Sequence, residues 1–326
     1  MRPAHLFAVL VIMVLFGSAY PVGKLGVDHF PPLFFAFLRS LLLVLVLLPL
    51  WRLALPPRAQ WWPLAGFCLC MGTGVYAGMY VALHWSTTVS PIVIGTQLSV
   101  PFAVILGRVF LGERVRAVTW AAIIAAFSGI VIIGFEPALL SDLPALGMTA
   151  LSALCYACAT LFARTLRGLS VLTMNGWMAL SALPLLGALT LALEQEQWAA
   201  LRTAGPEELF VLVHSAIAVA LLAHAWMFTL YRHYPVATVI PYYVLMPIFG
   251  ILLSLLLFVE IPSLQTLLGG AVVIAATWAV NRTTLETADA GRTAPEPSPA
   301  AAANPVWTDE DAPADDATRT EAPRGS

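Results

Sequence analysis

Residues Ser90 to Gly129, SPIVIGTQLSVPFAVILGRVFLGERVRAVTWAAIIAAFSG, decide how the chain is read. They give an apolar helix broken at Pro101, a short basic turn around Gly112-Glu113-Arg114, and a second apolar helix. The same plan returns later. An apolar run from Val236 holds Pro247 part-way along and Glu260 at its end, and Gly269-Gly270 lead into a further apolar run to Val280. The spacing of Pro101 and Glu113 nearly equals that of Pro247 and Glu260, which marks an internal repeat.

Of the 326 residues 60% are hydrophobic and only 10% charged, against about 25% charged in soluble domains. A chain so poor in charge cannot cover its surface in water, so its solvent is largely lipid. Apolar stretches near the roughly 20 residues that span a bilayer fall at about 4–23, 33–50, 62–83, 89–111, 118–135, 145–163, 171–193, 208–231, 236–258 and 263–280. Lipid-exposed backbone must satisfy its own hydrogen bonds, and alternating barrel strands are missing, so these are helices. The expected fold is all-α integral membrane, with about ten transmembrane helices in two inverted five-helix repeats. The copies are 4–135 and 145–280, and 281–326, rich in Ala, Pro, Thr and acids, is a disordered cytoplasmic tail. Arg2, the apolar run Leu6 to Phe16 and Gly17-Ser18-Ala19 imitate a signal peptide, but the pattern continues as a mature helix.

Charge placement sets orientation. With ten spans, one set of loops holds Arg52, Arg58, Arg108, Arg114, Arg116, Arg164, Arg167 and Arg232, and Arg282 follows the last span. The opposite loops hold Glu136, Asp142, Glu194, Glu196, Glu207 and Glu208, with Arg202 the lone cation of the second acidic loop. Basic loops stay inside, so both termini are expected in the cytoplasm. Five spans per copy turn the second copy upside down and put Glu113 inside and Glu260 outside. Secondary transporters are often built this way, because inverted copies can exchange conformations.

Phe16-Gly17, Lys24, Pro31-Pro32, Arg39, Pro101, Gly112-Glu113-Arg114 and Gly129, then Tyr231-Arg232, Pro247, Glu260 and Gly270, carry a family likeness. Over roughly residues 5–280 the chain resembles the EamA-type members of the drug/metabolite transporter superfamily, exporters of metabolites across bacterial inner membranes. It departs from them at Phe16, where tryptophan is usual, and at Val259, where Asp or Gly would often precede the glutamate. The resemblance implies ten helices, two inverted repeats and a central substrate cavity built by helices one to four and six to nine.

Charges at membrane depth are expensive, so each one needs a role. Arg39 lies well inside the second span and Lys24 ends the first, with Tyr20 one turn before it. Either they face the cavity and attract a carboxylate or phosphate, or they snorkel to headgroups, or Arg39 caps carbonyls of a neighbouring helix. Polar and aromatic stripes at helical spacing add candidates: Thr73, Tyr76, Tyr80 and His84; Ser152, Tyr156, Thr160 and Arg164; His214 to Tyr231 through His224; Ser90 to Pro101 through Gln97; and Thr238 with Tyr242. Interhelical hydrogen bonding is the plainer account of any one of them. Together they point to a wet, amphipathic pocket with Tyr20, Lys24, Arg39, Tyr76, Tyr80, Gln97, Tyr156, His224 and Tyr242 as candidates, and Pro101 and Pro247 as helix bends. Ala121, Ala125 and Gly129, and Ala271, Ala275 and Ala279, are four apart. The fifth and tenth spans are therefore expected to pack closely or to form a homodimer.

The four cysteines, Cys68, Cys70, Cys155 and Cys158, lie inside apolar runs and read as packing residues. No cofactor, metal or nucleic-acid partner is implied. The expected function is export of small metabolites, amino acids or similar amphipathic compounds, by alternating access. A drug or quaternary-cation exporter would want a buried carboxylate, which the spans lack. A membrane enzyme would want a motif such as His-Glu-x-x-His or Gly-x-Ser-x-Gly, which the sequence lacks. His224, and less surely His214, are the mid-span groups able to titrate near neutral pH.

Overall fold

In the computed structural model the described residues are 1, 3–49, 56–135, 141–166, 168–234 and 236–293. They form helices and turns, with no strand among them. In chain order these are α1 (Pro3–His29), α2 (Pro32–Leu47), α3 (Trp61–Phe67, Cys68–Val75 and Tyr76–Trp85 in succession) and α4 (Ser90–Gly95, Thr96–Leu98 and Ser99–Leu111). Next come α5 (Ala117–Gly134), α6 (Leu143–Thr165), α7 (Val171–Leu193), and α8 (Pro206–Val213, His214–Ala223 and His224–His233). The last are α9 (Val236–Val239, Ile240–Val244 and Leu245–Phe258) and α10 (Leu264–Thr293). Eight of these are long and apolar enough to cross a membrane; α2 and the 242–258 part of α9 are shorter apolar helices.

Residues Met1–Leu285 make one compact unit. The last helix runs on to Thr293, so the tail assigned from 281 begins as helix, and the residues after 293 lie outside the described ones. So do Arg52, Glu136 and Arg167 of the loop charges.

Partners exchange when one copy is put in place of the other. α1 packs on α9 as α6 packs on α4, while α2 packs on α7. The beginning of α2 meets the end of α7, through Leu33 and Phe34 amides at 2.7 and 2.9 Å from the Glu194 carboxylate. The beginning of α4 meets the end of α9 through Glu260. The beginning of α5 meets the end of α10, where Thr119 donates to Thr283 at 2.9 Å. At the other end of that pair, Gln265 Nε2 donates to the Ile132 carbonyl at 2.7 Å.

Local irregularities repeat as well. Cys68–Val75 in α3 and the stretch from His214 in α8 are widened, π-type turns. Thr96–Leu98 in α4 and Ile240–Val244 in α9 are tightened, 3-10-type turns. One sequence separation relates Cys68 to His214, Ser99 to Leu245 and Pro101 to Pro247. Each proline is the third residue of a re-started helix. It removes the amide that would bond the carbonyl four residues back, on Gln97 and Tyr243 respectively, and the helix breaks around those residues.

Close approach needs glycine at two crossings. A Cβ on Gly17 of α1 would sit 2.7 Å from the Met246 carbonyl oxygen and 2.8 Å from the Gly250 nitrogen of α9. One on Gly129 of α5 would meet the Gly269 carbonyl oxygen of α10 at 2.7 Å. The small-residue faces of α5 and α10 thus meet within the chain. The buried α5 stripe is Ala122, Ala126 and Gly129, and Ala121, Ala271 and Ala275 are exposed. On α5 this moves the packing alanines of the sequence reading by one residue while Gly129 keeps its place, because a helix apolar all round carries no polar face to fix its phase. Cys155 packs on Gly74, and all four cysteines are free thiols.

Candidate functional site

The broken helices α4 and α9 and the widened turns of α3 and α8 converge on a cavity of about 400 Å³. From α4 it takes Thr96, Gln97 and Ser99, and from α9 Tyr243, Val244 and Met246; α3 gives Met71 and Val75 and α8 gives Ser215 and Val219. The residues flanking each helix break thus line the space. π-type turns of this kind are frequent at functional sites, and transporter sites characteristically use discontinuous helices.

Its aromatic side chains are held in place by neighbours. The Tyr20 hydroxyl donates to Thr96 at 3.2 Å, and Thr96 donates in turn to the Val93 carbonyl at 2.8 Å. Tyr80 and Ser215 hydroxyls are 2.6 Å apart. Tyr80 stacks with Tyr76 and takes Phe35 edge-on. Phe16, the residue that stands where tryptophan was expected, meets His224 edge-on at 4.9 Å and Tyr243 at 6.1 Å between centroids. His224 Nδ1 lies 3.0 Å from the Val219 carbonyl. Ser152 donates to the Val75 carbonyl at 2.9 Å.

Arg39 is the one charged side chain among the described lining residues, and none of them is acidic. It is 1% exposed. Its guanidinium carbon lies 3.6 Å from the centre of the Tyr76 ring, a cation–π contact. Its Nε and Nη2 are buried with no hydrogen-bond partner in the protein.

Of the candidates named from the sequence, Tyr20, Arg39, Tyr76, Tyr80, Gln97, Tyr156 and His224 line this cavity. Lys24 does not. It pairs with Asp28 at 2.9 Å, one helical turn on, and donates to the Ser86 carbonyl at 3.2 Å, in a smaller recess with Thr87, Val89 and Glu260. Tyr242 does not line it either: it packs with the cluster of Val9, Ile12 and Met13, and Tyr243 takes the lining position. The tightened turn at Ile240–Val244 advances the helix phase by one residue there. His214 is turned to Ser18, 3.0 Å away. Sequence reasoning missed Ser215, Thr277 and Asn281. The first is displaced by the π-type turn, and the other two stand on a helix read as purely structural.

The two ends of the cavity differ. On the side where α1 ends and α4 begins, Phe30, Phe35, Leu83, Val89 and Ile92 are buried to 2% exposure or less in one cluster. Above this plug sit three carboxylates. Glu194 holds the start of α2. Asp142, 2% exposed, accepts from the Ser86 hydroxyl and the Thr87 amide and hydroxyl at 2.8–2.9 Å. Glu260 accepts from the Val89 and Ser90 amides and from Ser254 at 2.8–2.9 Å. Amides at helix starts have no intrahelical acceptor, so a carboxylate there is doubly favoured. Toward the opposite face the lining continues to Thr277 and Asn281 near the end of the bundle part of α10.

The chain matches the EamA-like transporter family twice, over residues 3–135 and 143–282. It is 27% identical over 278 residues to a probable amino-acid metabolite efflux pump of Salmonella typhimurium (strain LT2), covering 82% of this chain and 92% of that one. A protein of the same description from Escherichia coli (strain K12) is 25% identical over 276 residues, covering 81% and 90%. A solved crystal structure superposes with a TM-score of 0.58 at 17% identity, covering 87% of this chain and 98% of the other, which is a likeness of fold.

Proposed function

The chain belongs to the EamA-like transporter family, and from that premise we propose that it exports small metabolites, amino acids or similar amphipathic compounds, by alternating access. The observation that carries this is the cavity at the meeting of two equivalently broken helices, plugged toward one face and lined on toward the other. The ten apolar helices are two inverted five-helix copies in this reading. Its support is that the beginnings of α2, α4 and α5 meet the ends of their counterparts α7, α9 and α10. In this reading both termini are cytoplasmic in a bacterial inner membrane, supported by the basic loops, and the cavity belongs to an inward-facing state. A quaternary-cation exporter is disfavoured by a lining that, among the described residues, holds an arginine and no acid.

The test is flux. Cells with and without overexpression are compared for metabolites outside, and the solutes that differ are offered to the purified protein in proteoliposomes. Accumulation and flux are expected; a folded protein that moves none of them overturns the proposal. A reporter fused after Ser326 must read cytoplasmic. In a proton-coupled cycle the proton would fall to His224, the imidazole among the described lining residues. His224→Gln would then remove dependence on a pH gradient while exchange continues, and retained coupling excludes that role.

A further inference from the structure

A guanidinium is a fixed, planar fork of N–H donors, and each donor left without a partner in a buried site is costly. The stacked Tyr76 ring satisfies one face of the guanidinium but takes up none of its N–H donors. The two nitrogens without partners, Nε and Nη2, share one edge of the planar group, and their N–H bonds run parallel. That edge matches the two oxygens of a carboxylate. Beside it on α3 are Met71, Val75 and Met79, an apolar and adaptable wall. An ammonium group in the same space would meet neutral oxygens, such as those of Gln97 and Ser99, and no counter-ion among the described lining residues.

Resting on the exporter reading above, we propose that Arg39 is the carboxylate-binding residue of the cavity. Its ligands are small amphipathic carboxylates, for which an amino group is tolerated and not required. The full chain, purified in detergent, is titrated with leucine, phenylalanine and 3-phenylpropanoate, each against its amide. The acids are expected to bind at least tenfold tighter than the amides. Arg39→Gln should erase that preference while leaving amide affinity alone, and Arg39→Lys, which keeps the charge without the fork, should restore only part of it. Equal binding of acids and amides by the unaltered protein overturns the proposal, as does an acid preference that survives in either variant at full strength. The unaltered protein's acid-to-amide ratio decides even where a variant fails to fold. Flux separates the two readings: flux of amides without acids leaves the exporter standing and removes the carboxylate site, and acid binding without flux does the reverse.

A different observation carries a second inference. Glu113 and Glu260 close the two broken helices at equivalent places, but only Glu260 holds a helix start. Glu113 pairs with Arg164 at 2.8 Å, both half exposed. Glu194 has no acidic counterpart in the other copy: residues 48–57 carry no acid. We infer that Glu113 and Glu260 form a reciprocal latch. Glu260 locks the start of α4 in the state seen, and in the opposite state it lets go while Glu113 takes the Val236 and Ala237 amides at the start of α9, Pro235 having none to give.

The inference is tested in membranes with the four native cysteines replaced by alanine. Two cysteine pairs are used, Val89→Cys with Ile261→Cys, and Arg114→Cys with Thr238→Cys. The first pair should crosslink at rest. Glu260→Gln should raise crosslinking of the second pair at least threefold, and Glu113→Gln should lower it below the parent level. No rise in the first variant together with no fall in the second overturns the latch.

Discussion

The turn at Gly112-Glu113 and the turn at Val259-Glu260 occupy the same place in the two copies and live in opposite circumstances. Both helices end on a residue with left-handed backbone, φ 67° at Gly112 and 55° at Val259. Glycine adopts that conformation freely; a β-branched residue there is a true outlier. The relaxed turn carries a glutamate in an exposed ion pair, and the strained one carries a glutamate bound to two amides and a hydroxyl. Strain persists only where surroundings over-determine it, and the three bonds of Glu260 are those surroundings. One motif, written twice, is thus at rest in one copy and engaged in the other.

Glu260→Ala should break the contrast most severely. It strands two amides at a buried helix start and is expected to destabilise the chain by about 3 kcal/mol, read as a fall in the thermal midpoint in detergent. Gly112→Val has open space for its side chain, so it should lose only the backbone term, about 1–2 kcal/mol. Val259→Gly should do the opposite and stabilise by about 1 kcal/mol; a loss of stability instead would mean that the valine side chain, 77% exposed, has a packing role after all. Glu113→Ala should matter least, below about 1 kcal/mol, since exposed ion pairs contribute little. A Glu113 effect as large as that of Glu260 would erase the asymmetry.

The doubled motif, the all-helical character and the two prolines were legible, because hydrophobic period and proline chemistry are written in the residues themselves. Seven of the nine side chains read as cavity candidates do line one cavity. The two that do not fail for different reasons. The Lys24–Asp28 pair sits at a helical spacing that was visible in the sequence and could have been weighed against a cavity role. Tyr242 depended on the tightened turn after Val239, a helix phase that no count of residues reveals. The same holds for Ser215, displaced by a π-type turn, and for the alanines of α5 and α10. Glu260 could be read as a helix end, but its partner lies 171 residues earlier, and only folding brings the two together.

Arg39 also has an electrical consequence. A cavity that faces one solution and then the other moves its contents between two potentials, at about 2.3 kcal/mol per charge for each 100 mV. Empty, this cavity holds one positive charge; with a carboxylate on Arg39 it holds none. If the chain exports carboxylates by alternating access, as proposed above, voltage in a cell whose interior is negative would draw the unloaded carrier back toward the cytoplasm and leave its loaded form nearly indifferent to the field when the cargo is a simple monoanion. The buried arginine would then recognise the solute and also give the return step its direction.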